Sequence, residues 1–133
     1  MRVSDNHISY EIHPDVCAGT IGRNAALPCP VLQMNQVHDV QVAVVDRPDV
    51  TPDELDGFDA MVTDLAGLAI GVRTADCIPI LLYDPVRKSA AAVHSGWRGT
   101  VAKILRNVIT KMSSVYGTQP SDLLAVIGPG ICT

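Results

Sequence analysis

No stretch of this 133-residue chain approaches the roughly 20 consecutive apolar residues that a membrane helix needs, and Asp, Arg or Pro interrupts each candidate. A membrane partner is therefore not expected. Positive charge is also in short supply. Ten Lys and Arg face fourteen Asp and Glu, a net charge of −4, and no basic stripe runs along any segment, which argues against nucleic-acid binding. Cysteine occurs only at Cys17, Cys29, Cys77 and Cys132, never as a CxxC pair. The opening residues, MRVSDNHISYEIHPD, lack the apolar core of a signal peptide. Scattered cysteines without such a leader read as reduced thiols, so the expected compartment is the cytoplasm.

What the chain does contain is apolar material. Hydrophobic residues make up 47% and the mean hydropathy is +0.23, enough for one domain over residues 1–133 with a real core. Alternation at Ile8, Tyr10 and Ile12 predicts an early strand, and residues 29–34 predict a short one. Val40, Val42 and Val44 alternate with Gln41 and Ala43, as in a strand with one buried face. Residues 47–57, rich in Pro and acids, read as a surface loop or short helical turn, followed by a strand at 60–63. From Thr100, the positions Val101, Ile104, Leu105, Val108, Ile109, Met112 and Val115 repeat at helical spacing, opposite Lys103, Arg106, Asn107 and Lys111. Gly117 ends that helix and Pro120 prevents its resumption. Strand 90–93, helix 100–116 and strand 123–127 have the spacing of a βαβ unit, so the expected class is α/β, a mixed sheet containing a parallel βαβ unit. Parallel strands bring His94 and the loop at Gly128 to one edge, the carboxyl end, where α/β proteins bind ligands.

The stretch 67–99 organises the rest. Strand-like runs at 68–72 and 78–82 bracket Thr74-Ala75-Asp76-Cys77, and a third at 90–93 delivers His94 into Ser95-Gly96-Trp97-Arg98-Gly99. A thiol and an imidazole thus lie at the ends of neighbouring extended segments, beside loop-forming residues. With His38 upstream, His38, Cys77 and His94 make up a two-histidine, one-cysteine set of the kind used by catalytic zinc, with a fourth position open. The spacing does not enforce convergence. Cys77 alone reads equally as a buried core thiol, and His94 as a side chain that hydrogen-bonds a loop. Ser95 to Gly99 precede the helix, so their N–H groups can converge on an anion and Arg98 can add a planar fork; alternatively Gly96 and Gly99 only shape a tight turn under Trp97. Asp76 is placed to orient a histidine or carry a proton, whereas Asp59 and Asp64 read as turn caps and Arg73 as one half of an ion pair. His7, His13, Cys17 and Cys29 read as structural, the two histidines as exposed.

Five motifs in order resemble one known set: Gln36-Val37-His38, Asp59-Ala60-Met61-Val62-Thr63, Thr74-Ala75-Asp76-Cys77, Ala92-Val93-His94-Ser95-Gly96-Trp97-Arg98-Gly99 and Ile127-Gly128-Pro129-Gly130-Ile131. They are similar to those of the laccase-domain family, also described as multicopper polyphenol oxidase-like or peptidoglycan-editing-factor-like proteins. The match spans about residues 35–131, whereas residues 1–30 match poorly and the family's usual continuation is not seen after Thr133, so a shortened member is expected. The resemblance implies an α/β fold and a zinc site of His38, Cys77 and His94. It also implies purine-nucleoside chemistry, namely phosphorolysis with phosphate as co-substrate and deamination of adenosine. Cys77, Asp76 and Arg98 are then the candidate catalytic residues. The HxE and PCxxC signature of other zinc nucleoside deaminases is absent.

Two rivals stand beside this reading. A copper oxidoreductase acting on phenols would use the same donors, but a multicopper site needs more than the four histidines present. A non-catalytic member would act through a partner, for instance in quality control of cell-wall precursors. Nucleoside preference and oligomeric state are left open by the sequence.

Overall fold

The computed structural model describes residues 2–4, 7–21, 31–34, 41–73, 78–95 and 100–127. Three short strands, β1 (Arg2–Ser4), β2 (His7–Tyr10) and β3 (Ala18–Ile21), form an antiparallel sheet in the order β1-β2-β3. The larger sheet has five strands: β4 (Val42–Val45), β5 (Ala60–Thr63), β6 (Ile78–Asp84), β7 (Ser89–Ser95) and β8 (Leu124–Ile127). Its order is β4-β5-β7-β6-β8, with β4 and β5 parallel and every other pairing antiparallel. One α-helix among the described residues, α1 (Thr100–Tyr116), links β7 to β8. No helix among the described residues is long and apolar enough to cross a membrane.

The class is therefore the mixed α/β one that the pattern predicts, and α1 has the expected limits. β7 and β8 run in the same direction, as a βαβ unit requires, but β6 lies between them and is antiparallel to both. The directly hydrogen-bonded parallel pair is instead β4 with β5, joined by the acidic crossover. That crossover contains a 3₁₀ turn, Pro52–Leu55, whose Leu55 plugs the core at 3% exposure. Glu54 braces it by accepting the Thr51 N–H at 2.8 Å and by pairing with Arg47. Chiefly through the Thr51 hydrogen bond, its carboxyl is held below the usual range.

Burial follows from the two faces of the sheet. Ile104, Val108 and Met112 of α1 cover Ala60, Val62, Ile80, Leu82, Ala91 and Val93. On the other face Met34, Ala43, Val45, Leu55 and Met61 form a second cluster. All four residues of β5 are buried because the strand lies between these two layers. The edge strand β4 reverses the expected phase: Ala43 and Val45 are buried, whereas Val44 is exposed and Val42 half-buried, since the second cluster claims the odd-numbered side. Val115, in the last turn of α1, is likewise exposed rather than part of the buried stripe. Residues 68–72 do not form the expected strand. They make one parallel bridge, Ile70 to Leu32, which is also all that residues 31–34 contribute to a ladder. Leu68, Ile70 and Val72 instead lay their common side on the second cluster, satisfying their alternation by packing. Gly71 permits this approach, because a Cβ there would lie 2.8 Å from the Val31 side chain.

The turns are specified locally. Gly117, at φ +74°, ends α1 by donating its N–H to the Ser113 carbonyl at 3.0 Å. At the β6–β7 hairpin, Asp84 Oδ1 accepts the N–H groups of Val86 and Arg87 at 2.9 and 3.2 Å. The small sheet is attached through its β2–β3 loop: the His13 ring packs against Tyr83, tilted by 46°, with centroids 5.4 Å apart. His13 is thus a partly buried packing residue, not the exposed one expected, and burial pushes the Tyr83 phenol up.

Tyr116 closes the helix with an unusual feature. Its Oη is buried without a hydrogen-bond partner among the described residues, and burial, helped by Asp64 and Asp46, pushes its pKa up to about 12. Because the folded value exceeds the unfolded one of about 10, the advantage of the neutral phenol is complete below pH 10 and is lost as pH rises towards 12. Tyr116→Phe is expected to leave stability at pH 7 unchanged or raise it by up to about 1 kcal/mol, and to lessen the alkaline loss. Urea unfolding at pH 7 and pH 11 checks both.

Candidate functional site

The register of β5 and β7 builds the site. Ala60 lies opposite Val93 and Met61 opposite Ala92, so one step beyond the ladder sets Asp59 opposite His94. Alternation sends Ala60, Val62, Ala91 and Val93 to the α1 side, which leaves Asp59 and His94 together on the other. The two are linked twice. The His94 N–H donates to the Asp59 carbonyl at 2.7 Å, and His94 Nδ1 lies 2.6 Å from Asp59 Oδ2. Both side chains are buried, His94 at 3% exposure and Asp59 at 0%. A third bond runs to the next strand, where the Asp59 N–H donates to the Gln41 carbonyl at 3.1 Å.

On the far side of β7, Pro79 of β6 lies opposite His94. Because the His94 amide is turned towards β5, this is a non-hydrogen-bonded pair, and the missing N–H of Pro79 costs the β6–β7 ladder nothing. Ile78, the first residue of β6, pairs with Ser95 at the same edge. The last residue of β8, Ile127, pairs with Ile80 one step away. One edge of the sheet therefore collects the entry to β4, the entry to β5, the entry to β6 and the exits of β7 and β8. No local spacing in the sequence would bring these five together.

Of the residues singled out from the sequence, His94 lies in this edge. His38, Asp76, Cys77 and Arg98 lie outside the described residues, as do Gly96, Gly99 and the Gly128 loop. Their described neighbours mark where the chain passes: Gln41 is three residues beyond His38, and Ile78 directly follows Cys77. Among the described residues no three His, Cys, Asp or Glu side chains converge as a metal site. Arg73 is exposed, and Cys17 is an exposed free thiol. Asp59, which reads as a turn cap in the sequence, engages the His94 ring across the sheet. The sequence offers only an acid ahead of the apolar run 60–62, the pattern of a turn cap; its partner lies 35 residues away and only the register identifies it.

The donor chemistry fits a borderline metal such as zinc. A histidine with one ring nitrogen held by a buried carboxylate can offer the other as a metal ligand.

Comparison with known proteins identifies relatives of the chain. A family model described as multi-copper polyphenol oxidoreductase laccase matches residues 18–133. A Streptomyces coelicolor protein named purine nucleoside phosphorylase is 44% identical over 130 residues, covering 98% of this chain and 52% of its own length. A protein of an unknown prokaryotic organism, named adenosine deaminase, is 43% identical over 103 residues, 73% of this chain and 39% of its own. Among solved structures, the hypothetical protein YfiH of Bacillus licheniformis superposes with a TM-score of 0.69 at 32% identity, covering 76% of this chain and 40% of its own. The chain spans about half the length of the first of these relatives and about two fifths of the other two.

Proposed function

The chain belongs to the multi-copper polyphenol oxidoreductase laccase family, and from that membership we propose that it acts on purine nucleosides, as a zinc-dependent phosphorylase with adenosine deaminase activity. The observation that carries the reading is the buried Asp59–His94 pair at the edge where the segments from His38 and Cys77 enter the sheet. The names of the relatives, purine nucleoside phosphorylase and adenosine deaminase, support the substrate class.

His38, Cys77 and His94 would hold the metal, two imidazoles and a thiolate with one position open. When bound, zinc supplies Lewis-acid chemistry, polarising an oxygen and lowering the pKa of water. The other residues supply binding and proton transfer. Arg98 lies between His94 and the start of α1, and its planar guanidinium suits a phosphate oxygen pair, aided by N–H groups at the positive end of the helix. In phosphorolysis a phosphate oxygen bonds to C1′ of the ribose as the C1′–N9 bond breaks, and the departing purine nitrogen takes up a proton. Asp76 is the group in this reading that gives or relays it. In deamination water adds its oxygen at C6 and ammonia leaves, and the same carboxyl serves the leaving nitrogen.

The test is metal content of the purified chain by mass spectrometry, with release of base from inosine and adenosine followed with and without phosphate. Near-stoichiometric zinc and phosphate-dependent release of hypoxanthine are the expected results. Copper with oxidation of phenols would turn the reading to the oxidoreductase. Zinc without turnover of any nucleoside would turn it to a non-catalytic member.

A further inference from the structure

Asp59 is tied into the sheet on both sides. Its amide donates to Gln41 at the start of β4, its carbonyl accepts the His94 N–H, and its carboxylate meets the His94 ring at 2.6 Å with both side chains buried. A backbone held at two points leaves the Asp59 side chain little freedom to follow a moving ring, so the ring takes its position from the carboxylate. A carboxylate can only accept, so the ring nitrogen facing it carries the proton. With Nδ1 protonated, the lone pair of a neutral imidazole lies on Nε2, on the side of the ring away from Asp59.

From this we infer that Asp59 is a positioning residue, one that fixes the Nδ1–H tautomer and ring orientation of His94 and so makes Nε2 the nitrogen presented to a metal. The inference rests on the zinc reading above and deepens it, because it names the ligating atom and the residue that selects it. Asp59 touches neither substrate nor metal in this account. Through Gln41 it couples that choice to the strand entered three residues after His38.

Two measurements on the full chain decide it. Long-range ¹H–¹⁵N correlation spectra of the zinc-free protein report which His94 nitrogen bears the proton, and Nδ1 is expected. Zinc affinity by chelator competition is then compared across variants. Asp59→Ala is expected to weaken zinc by about 100-fold and to release the tautomer, whereas Asp59→Asn, which keeps an acceptor oxygen, retains the tautomer and loses about 10-fold. A residue with a merely structural role would lower the melting temperature of both variants without moving the ring protonation. His94 protonated at Nε2 in the wild-type protein would overturn the inference, and that spectrum decides the matter even where a variant fails to fold. Zinc bound by Asp59→Ala within about threefold of wild type would also overturn it, against the larger loss expected of such a partner. That outcome leaves the zinc reading intact, whereas wild-type protein that binds no zinc overturns both.

Discussion

Cys77→Ala protein is expected to purify without zinc and to lose nucleoside turnover by more than about 100-fold, exceeding the effect of removing a group that only supports a ligand. The physical reason is the asymmetry of the donor set. In the proposed set Cys77 would be the one anionic donor of the three, so its loss would leave two neutral imidazoles, from His38 and His94, to hold a doubly charged ion. Cys77→Ser is a sharper version, because a hydroxyl of nearly the same size stays protonated at neutral pH and cannot replace the thiolate. Metal content by mass spectrometry and kcat/KM for phosphate-dependent release of hypoxanthine check the two halves together. Zinc retained in full by both variants would remove Cys77 from the site and with it the proposed ligand set.

The second large effect is on stability. Ile104→Ala is expected to cost about 2–5 kcal/mol, a large part of the ~5–15 kcal/mol that a domain possesses. Ile104 is 1% exposed, at the N-terminal part of the α1 face that covers β5, β6 and β7. Beneath that face lie Ala60 and Ala91, already small, on strands paired on both sides, so the sheet cannot close over the space left behind. Urea unfolding followed by circular dichroism measures the loss. Lys103→Ala, on the exposed face of the same helix, is expected to change stability by less than about 0.5 kcal/mol. The helix and the site are linked through β7, whose Val93 packs under α1 and whose next residue is His94.

Much of the fold is legible in the sequence because the signals are local. α1 declares itself by the repeat from Ile104 to Met112 and by Gly117, and the structure gives it the limits 100–116. β5 and β7 are apolar runs between polar breaks, and they form where expected. Residues 68–72 show the limit of the same reasoning. Alternation there is real, but a segment can satisfy it by laying Leu68, Ile70 and Val72 against a core as well as by joining a ladder.

For the site, composition and motif order determined the family, the candidate donors His38, Cys77 and His94, and the direction in which the chain carries His94 to its strand end. What the tertiary structure decided is the company His94 keeps. The place of Asp59 ahead of an apolar run reads as a turn cap, and it is the antiparallel register of β5 against β7 that puts its carboxylate 2.6 Å from an imidazole 35 residues away. The reason is general. Periodicity records which side of an element is apolar, whereas strand register is a relation between two distant segments that neither encodes by itself.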